Sequence, residues 1–186
     1  MRKPLLVAED LSARRTLFRV FGVSWSVTRY AWISPLSWAT LGLAMAFAGG
    51  RDADAATVLI GGLGYGAALY AANILHSVGH IIAGRVVGTP AGAILVTSTR
   101  DITIYTLPGA AAPPRCRLGR ALGGPAANLA VGCALILAGH LAEAPWVTMT
   151  GIVNVCVAVW TLMPVPSLDG SVIWSVLFRS RGNAAP

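Results

Sequence analysis

Residues 56–84 read ATVLIGGLGYGAALYAANILHSVGHIIAG, with neither a proline nor a charged residue. About 20 apolar residues in a helix are enough to cross the hydrocarbon of a bilayer. At about 1.5 Å per residue this stretch makes a helix longer than the membrane is thick, which must tilt or protrude. His76 and His80 break its apolar character toward the C-terminal end. Side chains four apart lie on one face of a helix, so the two imidazoles can share one metal ion. A catalytic zinc takes three protein ligands and keeps a fourth position open for water. One carboxylate from elsewhere would complete the set, and Asp169, in the segment Pro164-Val165-Pro166-Ser167-Leu168-Asp169-Gly170, is the best candidate. The common form of this helix motif, His-Glu-x-x-His, carries a glutamate beside the first histidine as general base. Here that position is Ser77.

The whole chain agrees with the membrane reading of this one segment. With 55% hydrophobic and only 11% charged residues it lies outside the composition of soluble domains, and its 186 residues leave room for roughly four spans with short loops. The net charge of +7 does not indicate nucleic acid, because the cations sit beside apolar runs rather than on an amphipathic surface. Lys3 and five arginines from Arg2 to Arg29 precede the first span, Arg85, Arg100, Arg115, Arg117 and Arg120 fall between the second and third, and Arg179 and Arg181 follow the last. The other two connections carry Arg51 with Asp52 and Asp54, and His140 with Glu143. The positive-inside rule then puts both termini and the central loop in the cytoplasm. Cys116, Cys133 and Cys156 are an odd number without close pairing, which fits small packed hydrophobes better than a disulfide framework. No cleaved leader is evident, since the apolar run at 4–8 is short and charge follows it at once.

In chain order, residues 1–13 read as a polar tail and 16–28 as a β-prone strand or interfacial segment interrupted by Gly22. Trp25, Tyr30, Trp32 and Trp38 gather as boundary anchors at the first span, 32–48. After the second span, two β-branched runs at 93–97 and 102–107 flank a polar turn and predict a hairpin on the cytoplasmic side. The third span opens with Leu122-Gly123-Gly124-Pro125-Ala126-Ala127-Asn128 and runs to 141, with Pro125 near the helix start, where a missing N–H is tolerated. The fourth covers 146–163 and must break at Pro164, after which Asp169 can cap a short helix over 170–178. The second and fourth spans then cross in the same direction. That brings His76, His80 and Asp169 to one depth on the cytoplasmic side.

With these parts in this order, the chain resembles the site-2 protease family of intramembrane zinc metalloproteases. The resemblance rests on residues 17–23, His76-x-x-x-His80, the hairpin, Gly124-Pro125-Ala126-Ala127-Asn128 and residues 162–170. It implies Zn2+ held by His76, His80 and Asp169. It also implies that Gly124, Pro125 and Asn128 line or support the substrate site, and that the partner is a transmembrane segment of a membrane protein within the lipid bilayer. The expected fold is an all-α membrane protein of about four transmembrane helices plus a short C-terminal helix and a small cytoplasmic-side β-hairpin. Residues 1–30 would form a cytoplasmic tail with a short juxtamembrane strand, and 31–186 a single membrane domain in a bacterial inner or other plasma membrane. Two positions depart from the family pattern. Thr161 stands where the family has asparagine, a modest change, and Ser77 stands where it has the catalytic glutamate. A serine can orient water but is too weak a base to replace a carboxylate, and the other glutamates, Glu9 and Glu143, lie in the tail and in a loop on the opposite side. Loss of a positioned acid/base costs about 10²- to 10⁴-fold.

Plainer readings exist for each residue. The histidines can hydrogen-bond between helices, Asp169 can be a cap, Gly123 and Gly124 can serve close packing, and Asn128 can be an interhelical hydrogen-bonding group. His140 has no assigned role. Three functional classes follow: a metal-binding homologue that has lost efficient proteolysis and binds transmembrane segments, a working intramembrane protease with an atypical base, and a non-protease metal-binding scaffold. Haem on His76 and His80 together is disfavoured, because one helix face cannot reach both sides of a macrocycle.

Overall fold

The structure is a computed structural model that describes residues 14–49, 54–109 and 111–182. The expected polar tail at 1–13 and residues 50–53 of the turn after the first span lie outside the described residues. The elements run β1 (Arg15–Val20), β2 (Val23–Val27), α1 (Ile33–Gly49), α2 (Ala55–Val86), β3 (Ala91–Val96), β4 (Asp101–Tyr105), α3 (Pro114–Leu141), α4 (Pro145–Thr161) and α5 (Asp169–Gly182). They form two compact units: one takes in the chain through Gly66 together with 92–104, the other 67–91 and everything from Tyr105 onward.

In the first unit, β1 to β4 make one four-stranded sheet in that order, where the sequence reading expects a separate hairpin and a single N-terminal strand. Gly22 is not an interruption within a strand but half of a turn. Phe21 and Gly22 both have positive φ, 48° and 80°, the two-residue hairpin geometry that matches the right-handed twist of the strands it joins. β1 and β2 pair antiparallel with a bulge between Thr16 and Phe18, and Phe18 stacks on Trp25 with ring centroids 5.8 Å apart. β2 pairs parallel with β3, from Ser24 opposite Ala93 to Val27 opposite Val96. Isolated two-stranded hairpins are marginal in water, and joining them satisfies a further row of backbone groups. The sheet's core is Val23, Ile94 and Leu95, each almost fully buried.

The same unit holds α1 and the first third of α2, packed through glycine. A side chain on Gly42 would run into the backbone of Gly62 and Gly66, and one on Gly66 would stand 2.7 Å from the Cα of Ala39. Small residues allow this close approach of apolar helices. α2 is capped by Asp54, whose Oδ1 accepts from the amides of Ala56 and Thr57 at 2.9 and 3.0 Å and whose Oδ2 accepts from the Thr57 hydroxyl at 2.6 Å.

The second unit contains the rest of α2 with α3, α4 and α5. α2 and α3 touch at Gly79 and Gly123, where an added Cβ on Gly123 would lie 2.6 Å from the Gly79 carbonyl. α3 and α4 touch at Gly132 and Gly151 in the same manner. α3 starts at Pro114, well before the expected opening at Leu122, so Pro125 lies deep inside the helix rather than near its start. Pro113 and Pro114 make a favourable entry, and the arginines between 115 and 120 occupy helix that reads as loop by charge alone. A buried proline without its N–H is tolerated inside a membrane helix when neighbours satisfy the freed carbonyl.

The fold is thus mostly helical, as expected, and the expected hairpin and N-terminal strand are parts of one four-stranded sheet. Among the described residues, α2 and α3, with 32 and 28 residues, are long and apolar enough to cross a membrane. α1 and α4, with 17 residues each, and the apolar start of α5 are shorter.

Candidate metal centre

His76 and His80 stand one turn apart on α2, and Asp169 opens α5. Their donor atoms converge. The Nε2 of His76 lies 2.8 Å from Asp169 Oδ2, the Nε2 of His80 lies 3.2 Å from the same oxygen, and the two Nε2 atoms are 3.1 Å apart. The rings meet edge to face at 84°. Three residues that sequence reasoning assigns together are therefore brought together, with His76 and Asp169 93 positions apart in sequence.

The local fold explains each placement. The helical repeat places His76 and His80 on one face. His76 fits against α3 only because residue 124 is glycine: a side chain there would occupy the imidazole itself. Asp169 is set by the break after α4. Ser167 takes the left-handed region at φ 79°, Leu168 donates to the Val165 carbonyl at 3.1 Å, and a side chain on Gly170 would run into the carbonyls of Leu162 and Met163. The indole of Trp174 donates to the Leu162 carbonyl at 3.1 Å and ties α5 to the end of α4. Asp169, expected as a possible cap, turns its Oδ2 to the imidazoles.

The donor chemistry tests whether a cation fits. His80 donates its Nδ1–H to the carbonyl of Arg120 at 2.8 Å, which fixes the tautomer and leaves a lone pair on Nε2. That lone pair faces another imidazole nitrogen and a carboxylate oxygen, so the three atoms call for a shared proton or a cation between them. Zinc bonds of about 2.0–2.2 Å in tetrahedral array separate the ligands by about 3.3–3.6 Å, a widening of a few tenths of an ångström. The residues fit. Two nitrogens and one oxygen also leave a fourth position for water or a substrate oxygen.

Asn128 is completely buried and donates from Nδ2 to the carbonyl of Ala72 at 3.1 Å, one turn before His76. Its Oδ1 has no hydrogen-bond partner among the described residues, and the Nδ1 of His76 has none either. Pro125 is buried and Ser77 is 2% exposed. His140 is exposed in the last turn of α3. Cys116 is buried, as expected of a small hydrophobe, whereas Cys133 and Cys156 are exposed on their helices, a correction to the packed reading.

Sequence reasoning missed Arg120, Tyr105 and Thr89. Arg120 is 4% exposed, donates from Nε to the Thr89 hydroxyl at 2.7 Å and from Nη1 to the Leu107 carbonyl at 2.9 Å, and lies over the Tyr105 ring at 4.2 Å. Burial pushes the Tyr105 phenol well above its ordinary range, the Asp169 carboxylate adds to this and the Arg120 guanidinium opposes it. A signal existed: Arg120, Gly124 and Asn128 recur every four residues, one helix face, once α3 is extended back past Leu122.

No family model and no curated protein sequence matches the chain. Among solved structures it is similar to a site-2 protease from Methanocaldococcus jannaschii, with a TM-score of 0.61 at 16% identity over 90% of this chain and 73% of that one. At that identity the likeness is one of fold, and the fold of this chain is site-2 protease-like.

Proposed function

We propose that this chain is a site-2 protease-like integral membrane protein that keeps a His76, His80 and Asp169 zinc site but lacks the general base, and that it binds transmembrane segments of partner proteins rather than cleaving them efficiently. The observation that carries this reading is the meeting of three donor atoms within 2.8–3.2 Å on helices remote in sequence. When bound, zinc supplies Lewis acidity and lowers the pKa of a bound water. His76 and His80 would hold the ion through their Nε2 atoms and Asp169 through Oδ2, with His80 oriented by its hydrogen bond to the Arg120 carbonyl.

Peptide hydrolysis also needs a group that takes a proton from water and returns one to the leaving amine. The residue beside His76 is Ser77, buried and without that capacity at neutral pH. Glu143 follows the far end of α3, about 30 Å along the helix from Arg120. Glu9 lies outside the described residues.

In this reading α1 and α4 cross the bilayer with α2 and α3. At 17 residues, each is about 25 Å long, close to the hydrocarbon thickness of about 30 Å. Both termini are cytoplasmic by the charge pattern.

The test is metal content and cleavage on the same purified protein. About one zinc per chain, lost in His76→Ala and His80→Ala, with no cleavage of a membrane-spanning substrate, is the expected result. Robust cleavage abolished by those same changes refutes the loss of proteolysis, and a wild-type chain that takes up no divalent metal refutes the site.

A further inference from the structure

Arg120 is a buried cation that the proposed reaction does not use. Among the described residues no carboxylate lies within ion-pair distance of it, and its Nη2 has no hydrogen-bond partner. Burying an arginine in this way is costly, and a well-packed apolar residue would stabilise a helix contact at least as well. Packing alone therefore does not account for it.

Its two ends do different things. The backbone carbonyl of Arg120 receives the Nδ1–H of His80 at 2.8 Å, while the guanidinium reaches the Thr89 hydroxyl, the Leu107 carbonyl and the face of Tyr105. Thr89 follows α2 directly, and its amide bonds to the Gly84 carbonyl at 2.8 Å. One residue of α3 thus grips α2 at His80 and, nine positions later, the turn that follows α2 at Thr89. A slip of one residue along α3 would move the carbonyl by about 1.5 Å and turn it by about 100°, taking it out of reach of the imidazole.

We infer that Arg120 is a positioning residue for the metal centre: its guanidinium, pinned by Thr89, Leu107 and Tyr105, fixes the place of the carbonyl that orients His80. This rests on the metal-site reading. Partners of a ligating histidine typically contribute about 10- to 100-fold to metal affinity.

The experiment measures zinc affinity by chelator competition, and the visible spectrum of the cobalt-substituted protein, in the full chain and in Arg120→Met, Arg120→Lys and Thr89→Ala. Arg120→Met is expected to bind zinc about 10- to 100-fold more weakly and to shift the cobalt bands. Arg120→Lys should recover part of the affinity, because an ammonium keeps the charge and its donors but lacks the rigid planar fork that reaches the Thr89 hydroxyl and the Leu107 carbonyl from two different nitrogens. Thr89→Ala removes one acceptor and leaves the arginine in place, so it decides the matter if Arg120→Met does not fold, with an expected loss of several-fold. A wild-type chain that binds metal, with variants that lose thermal stability but keep affinity and spectrum, overturns the positioning role alone. A wild-type chain that binds no metal overturns the site and this inference together.

Discussion

The imidazole of His76 fills the space that a side chain on Gly124 would take. The atoms in the way belong to a rigid ring whose Nε2 faces Asp169, so relief requires a rotation that turns the donor out of the cluster. Gly124→Ala is therefore expected to cost about 1–3 kcal/mol as overpacking and to lower metal affinity at least tenfold. Thermal unfolding paired with zinc titration checks this, and unchanged zinc affinity would mean that His76 is not a ligand in the orientation described.

The donor set was legible in the sequence because its geometry is local or nearly so. His76 and His80 follow from the helical repeat, and Asp169 from the Leu-Asp-Gly segment that carries the family resemblance; the structure brings the three donor atoms together. The sheet was legible only in part. β3 and β4 are neighbours in sequence, but β2 reaches β3 across α1 and α2, and no periodicity in residues 16–28 announces a parallel partner more than sixty positions away. Arg120 was hidden by composition. Arginines at 115, 117 and 120 read as a loop because charge is excluded from hydrocarbon, yet α3 already runs as helix from Pro114 and takes all three into its first two turns.

Asn128 separates support from chemistry. It spends its amide on the carbonyl of Ala72, and interhelical bonds of this kind average about 0.6 kcal/mol, reaching about 1.7. Asn128→Ala is expected to lower the unfolding free energy by about 1 kcal/mol while leaving one zinc per chain. If it abolishes zinc binding without loss of stability, Asn128 acts on the site directly.

At the other end of α2, Asp54 gives a pH signature. The Thr57 hydroxyl, then the Thr57 and Ala56 amides, hold its carboxyl below the ordinary carboxylate range. A depressed folded pKa means the stabilisation is fully present above the unfolded value of about 3.9 and is lost as pH falls through the folded one. Asp54→Ala should therefore melt earlier than wild type at neutral pH, with the gap closing in acid. Asp54→Asn should keep most of the cap and lose its pH dependence, since asparagine caps about as well without titrating. Melting curves of the three proteins between pH 3 and 7 in one detergent would decide, and a gap that does not change with pH would show that the carboxylate is not what holds the helix start.

Ser77 is the position at which the proposed absence of a general base can be tested. It adjoins His76 in α2 and is buried, so a carboxylate placed there by Ser77→Glu comes from the helix that carries both histidines. If the zinc site is intact and only the base is missing, Ser77→Glu should raise cleavage of a membrane-spanning substrate by about 10²- to 10⁴-fold, the range a positioned acid/base supplies. Ser77→Gln brings the same bulk without the basicity and should give no gain, which separates proton transfer from a change of shape. Zinc content of both variants must match wild type for the comparison to hold, and His80→Ala in the Ser77→Glu background should return the rate to zero. Ser77→Glu with full zinc and no gain would mean that more than the base has been lost, and equal gains in both variants would mean that the serine limits access rather than chemistry.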